Sequence, residues 1–368
     1  MKVVLLHDWL TGFRGGERVL EVFCEMFPEA PIYTLIHKKG CVPSSIENRK
    51  IETSFLDSIP SVYTQYRKFL PLFPMAADGL KIIEEADVVL SSSHCVIKGV
   101  KKPKGSIHIS YIHSPMRYLY DQFDSYFGPG APFYQRLGMK VFKNYLTNWD
   151  IESNQNVDYF VSNSAFVKER VTKFYKRESD VIHPFVDLDD FQFVQSNPLE
   201  KQDYYIMVTA FAPNKRVDLA VRAFNKLGFN LRIIGSGQQE AELKEMANNN
   251  ISFLGNISRE EVVNCLAGAK AMIFPGVEDF GITPLESMAS GTPVIAYRAG
   301  GVLETLNEDV AVFFDEPSIE SLEEAVNSFQ DKSFDREVLL ARAKDFSKEI
   351  FKKNIKEYVL SKFQDKSK

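Results

Sequence analysis

Cysteine is scarce in this sequence, and long apolar runs are missing. The 368 residues include four cysteines, scattered at Cys24, Cys41, Cys95 and Cys265 with no Cys-x-x-Cys pair. This usage fits free thiols in a reducing compartment. No stretch of about 18 apolar residues could cross a bilayer, and the apolar run at the N-terminus is too short for a secretory signal. We therefore expect a cytoplasmic protein.

A surplus of basic residues is missing as well. The chain has 44 lysines and arginines against 49 aspartates and glutamates, a net charge of −5. A general nucleic-acid binder is usually basic over a whole domain, so nucleic acid is not expected as a partner. A hydrophobic content of 45% with 25% charged residues is ordinary for a folded protein, and the length predicts two or three domains.

Several catalytic signatures are also absent. The sequence has no Walker loop, no Gly-x-Ser-x-Gly elbow and no complete Gly-x-Gly-x-x-Gly fingerprint. The spacings of His, Cys and Asp match no zinc or EF-hand pattern, so no metal site is expected. These absences disfavour NAD-dependent oxidoreductases, phosphate-loop NTPases and zinc enzymes.

Short apolar runs typical of β-strands alternate with helical patterns along the whole chain. Continuous apolar strands separated by helices predict parallel sheets covered on both faces. We therefore predict the α/β class, with two Rossmann-like, doubly wound domains facing across a cleft. The predicted strands are Lys2–Leu6, Pro31–Ile36, Asp87–Ser92, Ser106–Tyr111, Val157–Ser162, Tyr204–Ala210, Asn230–Ile234, Ile251–Leu254, Ala269–Pro275, Pro293–Ala296 and Val310–Phe314.

The domain boundary is predicted at residues 186–203, a polar segment with little periodicity that we interpret as a linker. It separates a first domain over residues 1–185 from a second domain over residues 204–345. Residues 346–368 have the apolar spacing of a helix. Ligands of open parallel sheets bind at the carboxyl ends of the strands, so functional residues should lie in the loops that follow strands.

Two features of the first domain lie in such loops. The pair Gly15-Gly16 stands between a strand and a helix, where it forms either an anion site or a plain tight turn. His113 ends a later strand, where it either hydrogen-bonds a ligand hydroxyl or phosphate or is a satisfied structural histidine. The histidines interpreted as structural are His37, His94, His108 and His183.

Two loops of the second domain could bind phosphate. Lys215 and Arg216 precede a helix, where cations have the wrong sign for the helix dipole. A bound diphosphate would resolve this conflict, and a solvated surface pair is the alternative. The segment Gly235-Ser236-Gly237 also follows a strand, but it lacks the third glycine of a dinucleotide site.

The most informative stretch runs from Glu278 to Glu286, between a strand and a helix. One interpretation makes Thr283 the N-cap, Pro284 the first helical residue and Glu286 the closing residue of a capping box. The other places Glu278 on a ligand, the amides of residues 280–283 on an anion and Glu286 on a ribose diol. That second layout fits a nucleotide sugar.

Together these motifs resemble those of retaining glycosyltransferases of family 4, which have the GT-B fold. The resemblance covers essentially the whole chain. It implies a nucleotide-sugar donor, no cofactor, and a C-terminal helix that crosses back to the first domain. The matching features are the E-x7-E signature from Glu278 to Glu286, the Gly15-Gly16-Glu17 loop, His113, the Lys215 loop and Gly235-Ser236-Gly237, in the family's order.

The resemblance also implies a role for each residue. Glu286 would bind the ribose, Glu278 the transferred sugar, and Lys215 with Arg216 the diphosphate. His113 would lie near the reactive face of the sugar and act with Glu278 in catalysis. The remaining donor contacts would come from Gly15, Gly16, Gly235, Asn256, Ile257, Phe280, Gly281, Ile282 and Thr283.

One position departs from the family, and the mechanism follows from charge. An arginine often stands five residues before the lysine, where this chain has Ala210. Arg216 is the candidate replacement. The family retains the anomeric configuration, and no protein nucleophile is evident, so we expect front-face attack. Amides and cations would stabilise the leaving diphosphate without a metal.

Within the family, the segment Tyr111–Asp121 is most similar to bacterial O-antigen and exopolysaccharide mannosyltransferases. This similarity implies GDP-mannose as the donor and a glycan or lipid-linked saccharide as the acceptor, in the synthesis of a surface polysaccharide such as lipopolysaccharide. Two alternatives remain open. One is the same fold with a UDP-sugar donor, and the other is a catalytically silent nucleotide-sugar-binding protein.

The candidate acceptor residues are Arg117 and Tyr118. Tyr118 begins an aromatic segment over residues 118–130, and Arg117 directly precedes it. This segment is either an acceptor loop or a well-packed connection. The aromatic and basic segment Phe55–Phe73, with the lysines at 98, 101, 102 and 104, either contacts an anionic inner membrane face or forms a core helix and a solvated loop. We favour the core interpretation.

Overall fold

The computed structural model describes residues 1–128 and 132–366, and it divides into two compact units. The first unit comprises Met1–His183 together with the chain from Lys352 onward, and the second comprises Pro184–Phe351. Each unit is built on one parallel sheet with helices between the strands. The predicted α/β class with two Rossmann-like domains is confirmed.

The first unit has a seven-stranded sheet in the order β3-β2-β1-β4-β5-β6-β7. The central strands β1, β4 and β5 are buried along their whole length, as expected for strands covered on both faces. Because β1 pairs with β4 and β4 with β5, both in parallel, the carboxyl ends of the three strands lie side by side. The strands are β1 Val3–His7, β2 Ile32–Thr34, β3 Ile51–Thr53, β4 Val88–Ser93, β5 Ile107–Ile112, β6 Tyr159–Ser162 and β7 Ser179–Val181.

Helices connect these strands. The helix α1 shows the usual division, because Val19, Leu20 and Phe23 are buried while Glu25 remains accessible. The α-helices are α1 Gly15–Met26, α2 Ser44–Glu47, α3 Val62–Gln65, α4 Phe73–Gly79, α5 Phe123–Phe127, α6 Phe133–Glu152 and α7 Ala165–Tyr175. Short 3-10 helices are Phe55–Ser58, Tyr66–Leu72, Ile97–Gly99 and Ser153–Asn156.

The second unit has a six-stranded sheet in the order β10-β9-β8-β11-β12-β13. Its strands are β8 Tyr205–Val208, β9 Leu231–Ile234, β10 Ile251–Gly255, β11 Met272–Phe274, β12 Val294–Tyr297 and β13 Ala311–Phe314. Its α-helices are α8 Gln192–Ser196, α9 Val217–Leu227, α10 Glu240–Met246, α11 Arg259–Gly268, α12 Ile282–Ala289, α13 Val302–Thr305, α14 Ile319–Phe329 and α15 Arg336–Lys344. Two 3-10 helices are Leu188–Phe191 and Pro213–Lys215.

The segment 186–203 is not the free linker that its polarity predicts. Val186, Phe191 and Val194 are buried in the core of the second unit. The segment forms a 3-10 helix and α8 on the way. Its three buried apolar residues are spaced too irregularly to give a periodic signal, which explains the wrong prediction. The structure divides the chain just before it, between His183 and Pro184.

The C-terminal helix α16, Lys348–Lys366, returns to the first unit. Lys352 forms an ion pair with Glu25 at 2.5 Å, and the hydroxyl of Tyr358 donates to Asp180 at 2.8 Å. Residues 367 and 368, which the sequence prediction included in this helix, lie outside the described residues. Within the described part of the chain, no helix is both long and apolar enough to span a membrane.

Candidate functional site

In the second unit, the loops after β8 and β11 bring two predicted site residues into contact. Lys215 and Glu278 form an ion pair, with 22% of the lysine and 15% of the glutamate side chain exposed. The sequence analysis assigned them to the diphosphate and to the transferred sugar. Their pairing places a cation and a carboxylate at one point on the carboxyl-terminal edge of the sheet.

A glycine allows this close approach. A Cβ on Gly276 would lie 2.5 Å from the carbonyl oxygen of Asn214 and 2.9 Å from the Cα of Lys215. Such distances exclude any side chain at Gly276 unless the backbone moves. The loop after β11 therefore packs directly on the 3-10 turn that carries Lys215.

The helix after this loop begins differently from the prediction. Gly281 is the N-cap of α12, with a φ of 91° that favours glycine, and Ile282 is its first residue. Thr283 is therefore not the N-cap, and Glu286 is not the closing residue of a capping box. Gly281 has no side chain with which to cap this helix end. The amides at the start of a helix can donate to an anion.

Glu286 takes part in a tertiary ion pair instead. Its Oε1 lies 2.8 Å from Nη2 of Arg259, whose Nε lies 2.8 Å from Oδ2 of Asp190. The three residues come from α12, from the start of α11 and from the 3-10 helix before α8. Glu286 is 14% exposed, so its carboxylate is oriented by a cation and still reaches the surface. The sequence analysis missed both Arg259 and Asp190.

Two predicted donor residues on the same loop pack into the core. Phe280 is 3% exposed, and its ring lies 5.8 Å from that of Phe346. Ile282 packs against the same core cluster. These side chains therefore anchor the turn, and a contact of this segment with a ligand would involve the backbone.

The loops after β9 and β10 are tied to each other. Asn256 donates to the hydroxyl of Ser236 at 3.1 Å, and the amide of Gly235 donates to the carbonyl of Gly255 at 2.9 Å. Gly237 lies so close to Phe211 that a Cβ would meet its carbonyl at 2.5 Å. Close packing against the backbone therefore accounts for Gly235 and Gly237 without any ligand. Ile257 is partly buried against the core.

Arg216 adopts an unusual backbone conformation. Its φ of 52° and ψ of 40° place it in the left-handed region, at the N-cap of α9. Its Nε lies 3.2 Å from Oδ1 of Asp218 in the first turn of that helix. Asp218 thus offsets the cation that the sequence analysis regarded as unfavourable. The side chain of Arg216 is therefore directed to Asp218. Arg216 follows Lys215 in the sequence, whereas Ala210 precedes it.

A separate group of residues lies at the carboxyl ends of β1, β4 and β5 in the first unit. A Cβ on Gly16 would lie 3.4 Å from Cε1 of His7 and 3.7 Å from Nε2 of His113. Gly15 is the first residue of α1. The predicted Gly15-Gly16 loop and His113 are therefore neighbours, and His7 joins them.

His113 is uncharged at neutral pH. Its Nε2 lies 2.8 Å from the hydroxyl of Ser92. Burial, together with the charges of His94 and His7, lowers its pKa to about 3. The imidazole can thus exchange hydrogen bonds without carrying a charge.

His94, which the sequence analysis interpreted as structural, lies beside this group. It follows β4 directly, its Nδ1 lies 3.3 Å from Oδ2 of Asp8, and 31% of its side chain is exposed. Its ring centre lies 6.3 Å from that of His113. Asp8 also accepts from the amides of Cys95 and Ile97, at 2.9 and 2.8 Å, so one carboxylate organises the turn after β4.

Glu17 completes this group. Its Oε1 lies 3.8 Å from Nε2 of His7, and its Oε2 accepts from the amide of Arg14 at 3.0 Å. Burial alone would raise the pKa of Glu17, but the interactions with His7, a backbone hydrogen bond and the charge of His94 together outweigh it and lower the pKa to about 2. The carboxylate therefore stays ionised at neutral pH.

The two predicted acceptor residues lie in different surroundings. Tyr118 packs against the core, with its hydroxyl 3.1 Å from Sγ of Cys95. The charge of Arg117 is near enough to His113 to contribute to lowering its pKa. Residues 129 and 130, at the end of the predicted acceptor segment, lie outside the described residues.

The segment Phe55–Phe73 and Lys98, for which membrane contact was the less favoured interpretation, are mostly internal. Leu70 and Phe73 are buried, and Tyr63, Tyr66 and Phe69 pack against the same core. Lys98 is fully buried, with Nζ 2.8 Å from Oδ1 of the equally buried Asp150. The membrane interpretation is thus wrong for Lys98, because burial removes it from any surface.

The second unit matches a known family. Residues 189–348 match the model described as "Glycosyl transferases group 1". The match makes this part of the chain similar to group 1 glycosyltransferases. The match spans the 3-10 turn with Lys215, the loop with Glu278 and the helix α12 with Glu286. No cluster of three or more metal-ligating side chains occurs in residues 1–128 and 132–366.

Curated relatives of this chain include mannosyltransferases. Human alpha-1,3/1,6-mannosyltransferase ALG2 is 26% identical over 53% of this chain and 56% of its own length. O-antigen chain mannosyltransferase RfbU of Salmonella typhimurium is 29% identical over 42% and 46%. A GDP-mannose-dependent phosphatidylinositol monomannoside mannosyltransferase of Corynebacterium glutamicum is 30% identical over 30% and 34%. The matches cover about half or less of these relatives.

Solved structures match almost the whole chain. Anabaena Alr3699/HepE, in complex with UDP and glucose, has a TM-score of 0.70 at 15% identity, over 98% of this chain and all of the other. Sucrose-phosphate synthase of Thermosynechococcus elongatus has a TM-score of 0.76 at 15% identity, over 99% and 100%. These likenesses confirm the predicted GT-B fold. With the mannosyltransferase relatives, they confirm the resemblance to family 4 glycosyltransferases.

Proposed function

We propose that this protein is a retaining glycosyltransferase that moves mannose from GDP-mannose to a glycan or lipid-linked saccharide in bacterial surface polysaccharide synthesis. Transfer of a sugar is supported by the family match over residues 189–348. Mannose and its GDP donor are supported by the named activities of the relatives. The role in a surface polysaccharide is supported by the likeness to the O-antigen enzyme.

One observation supports the nucleotide-sugar site above all others. The turn between β11 and α12 carries Glu278, and α12, whose N-cap is Gly281, carries Glu286; each of these two carboxylates is paired with a cation. In our proposal the amides of α12 and the ammonium of Lys215 bind the diphosphate. Glu286 then accepts from the ribose diol, and Glu278 accepts from the hydroxyls of the hexose.

The chemistry follows from where negative charge develops. Transfer breaks the bond between the anomeric carbon and a phosphate oxygen, and the leaving diphosphate gains charge. Lys215 and the α12 amides are in place before the reaction, so they stabilise this charge without reorganising. We propose front-face attack by the acceptor hydroxyl, whose proton passes to the leaving phosphate oxygen. No metal and no bound cofactor take part in this scheme.

His113 has a positioning role in the proposal. Its low pKa keeps the imidazole neutral, so it would hydrogen-bond a hydroxyl of the transferred sugar rather than neutralise phosphate. His94 adds a partly exposed imidazole beside it, oriented by Asp8. The Gly15-Gly16 loop contributes the N-terminus of α1.

The proposal is tested by donor binding and then by transfer. Thermal unfolding is followed with GDP, UDP, ADP, GDP-mannose or NAD in EDTA. Saturation at 100 times the dissociation constant adds about 2.7 kcal/mol to the stability of the native state. A shift with GDP and GDP-mannose, with mannose released or transferred in EDTA, supports the proposal.

Each other outcome contradicts a stated part of it. A shift with UDP alone would replace the donor. Donor binding without hydrolysis or transfer to any saccharide would favour the silent binder. Activity that is lost in EDTA and restored by Mg²⁺ would overturn the metal-free mechanism, and an inverted anomeric product would overturn retention.

A further inference from the structure

His94 presents an accessible imidazole at the carboxyl-terminal edge of the first sheet. It directly follows β4, and 31% of its side chain is exposed. Its Nδ1 lies 3.3 Å from Oδ2 of Asp8. Its Nε2 has no hydrogen-bond partner within residues 1–128 and 132–366. The ring therefore offers one nitrogen to a ligand.

Asp8 determines the state of that nitrogen. Its carboxylate has no exposed surface, and it accepts from the amides of His94, Cys95 and Ile97 at 2.7, 2.9 and 2.8 Å. A carboxylate of this kind only accepts hydrogen bonds, so the proton of a neutral imidazole belongs on the Nδ1 that faces it. The Nε2 of His94 then carries a lone pair and acts as a hydrogen-bond acceptor.

The imidazole of His94 is uncharged at neutral pH. Burial lowers its pKa, and the charges of His7 and Arg117 lower it further. The charges of Asp8 and Glu17 act in the opposite direction without reversing the shift. A neutral acceptor nitrogen beside a buried carboxylate suits a hydroxyl group and disfavours an anion such as phosphate. The ligand group that fits His94 is therefore a neutral hydroxyl.

His94 lies between His113 and a group of aromatic rings. Its ring centre is 6.3 Å from that of His113 and 4.4 Å from that of Trp9. Trp9 packs in turn on Tyr66 and Phe73, with ring centres 5.0 and 5.7 Å away. In the proposed function His113 contacts the transferred sugar. A second sugar that extends from there toward the aromatic rings meets His94 first.

Arg117, a predicted acceptor residue, lies near the same position. Its charge contributes to lowering the pKa of both His94 and His113. The guanidinium is thus within electrostatic reach of both imidazoles. This connects His94 with the segment after β5 that the sequence analysis assigned to the acceptor.

We propose that His94 binds the acceptor saccharide, with its Nε2 accepting a hydrogen bond from a hydroxyl other than the one that attacks. The attacking hydroxyl still passes its proton to the leaving phosphate oxygen, so His94 takes up no proton during transfer. Asp8 is a positioning residue that acts through His94. This inference deepens the proposed function and rests on it, because it names a contact to the acceptor of the same reaction.

The test is transfer kinetics with GDP-mannose as donor and the methyl glycosides of mannose, galactose and N-acetylglucosamine as acceptor probes. His94→Ala should raise the KM of the best glycoside about tenfold, through the loss of one hydrogen bond, and that of GDP-mannose by less than about twofold. His94→Gln should recover most of this loss, because its amide oxygen can accept the same hydrogen bond.

A matched control separates this contact from the general effect of losing a histidine. His37 belongs to the same unit, and its Nε2 lies 3.2 Å from Oε2 of Glu47. It also follows a strand, β2, but its second nitrogen pair is with a carboxylate outside the group around His113. His37→Gln should leave the KM of both substrates as in the wild type.

Monodeoxy analogues of the best glycoside identify the hydroxyl. For one analogue alone the penalty of His94→Ala should vanish, since the hydroxyl that His94 binds is already missing. Acidification below the ordinary histidine pKa of 6.5 should raise the acceptor KM of the wild type, because protonation turns Nε2 from an acceptor into a donor. The same acidification should leave the acceptor KM of His94→Gln unchanged.

Each other outcome overturns the inference. An unchanged acceptor KM in His94→Ala, equal penalties with every deoxy analogue, or a wild type that hydrolyses GDP-mannose but uses none of the glycosides contradicts the contact with the acceptor. A pH dependence that lies in kcat instead of the acceptor KM would make His94 a base and contradict hydroxyl binding.

Hydrolysis of GDP-mannose by water keeps the two proposals apart. A wild type that neither hydrolyses nor transfers mannose contradicts the proposed enzyme. Hydrolysis by the wild type together with a failed acceptor test contradicts the role of His94 alone.

Discussion

Replacing Glu286 with glutamine should weaken nucleotide binding and leave the fold almost as stable as before. The substitution keeps the shape of the side chain and removes the charge that lies 2.8 Å from Nη2 of Arg259. Arg259 keeps its second partner, Asp190, at 2.8 Å. Because 32% of the arginine side chain is exposed, the lost ion pair stabilises the fold by at most about 1 kcal/mol.

The loss in binding should be larger than the loss in stability. A hydrogen bond to a charged group contributes about 1.5–3 kcal/mol, against about 0.5–1.5 kcal/mol for a neutral one. In the proposed complex one carboxylate accepts from two ribose hydroxyls. Replacing it with the glutamine amide should therefore weaken the free energy of GDP binding by about 1–3 kcal/mol. The dissociation constant for GDP should therefore rise roughly 5- to 150-fold.

Calorimetry with GDP and with its 2′,3′-dideoxy analogue isolates this contact. The penalty of Glu286→Gln should appear with GDP and vanish with the analogue, which has no diol to bind. Glu308→Gln is the matched control, since Glu308 pairs with Arg298 at 3.0 Å but is 63% exposed. An equal penalty with both nucleotides, or none with either, would refute the assignment of Glu286 to the ribose.

Three further predictions concern Glu278 and Gly276 of the second unit and His113 of the first. Glu278→Gln should tighten GDP binding about fivefold, because it removes the carboxylate that competes with the diphosphate for Lys215. The same substitution should slow sugar transfer. Weaker GDP binding in calorimetry would contradict the competition between Glu278 and the diphosphate. Gly276→Ala should lower the free energy of unfolding by about 1–3 kcal/mol and weaken GDP binding, since its Cβ would meet the carbonyl of Asn214; the control Gly12→Ala, with open space around it, should change neither. Acidification from pH 6.5 toward 3 should destabilise the protein, because His113, with its pKa lowered to about 3, takes up a proton on unfolding. Urea titrations measure how steeply the free energy of unfolding falls as the pH is lowered. His113→Asn should reduce this slope by about 1.4 kcal/mol per pH unit. A slope equal to that of the wild type would exclude a neutral imidazole.

The order of strands and helices could be predicted because the central strands are continuous apolar runs. The run Ser106–Tyr111 corresponds to β5 at Ile107–Ile112, and Asn230–Ile234 corresponds to β9. The strand β3 was missed, because Ile51-Glu52-Thr53 is a half-buried edge strand of three residues with no apolar run. Such a strand is recognised only through its pairing with β2.

Local patterns predicted the loop between β11 and α12, but one of the two interpretations of Glu286, the capping box, is wrong. The spacing of Thr283 and Glu286 matches a capping box, yet α12 starts at Ile282, so Glu286 lies too far along the helix to cap it. What orients its carboxylate is Arg259, a residue of another helix. A pairing between distant segments leaves no trace in the spacing of either segment.

The histidines of the first unit show that some tertiary signals can nevertheless be derived from sequence. Taken singly, His94 has unremarkable neighbours and was interpreted as structural. Taken with the sheet order, His7 ends β1, His94 follows β4 and His113 follows β5, and these three strands are adjacent. Since parallel strands end at one edge, a polar residue after each of three neighbouring strands predicts a cluster, whatever the distance along the chain. Once the order of the strands is known, a comparison of their ends with one another, rather than motif by motif, places His94 beside Asp8 and His113.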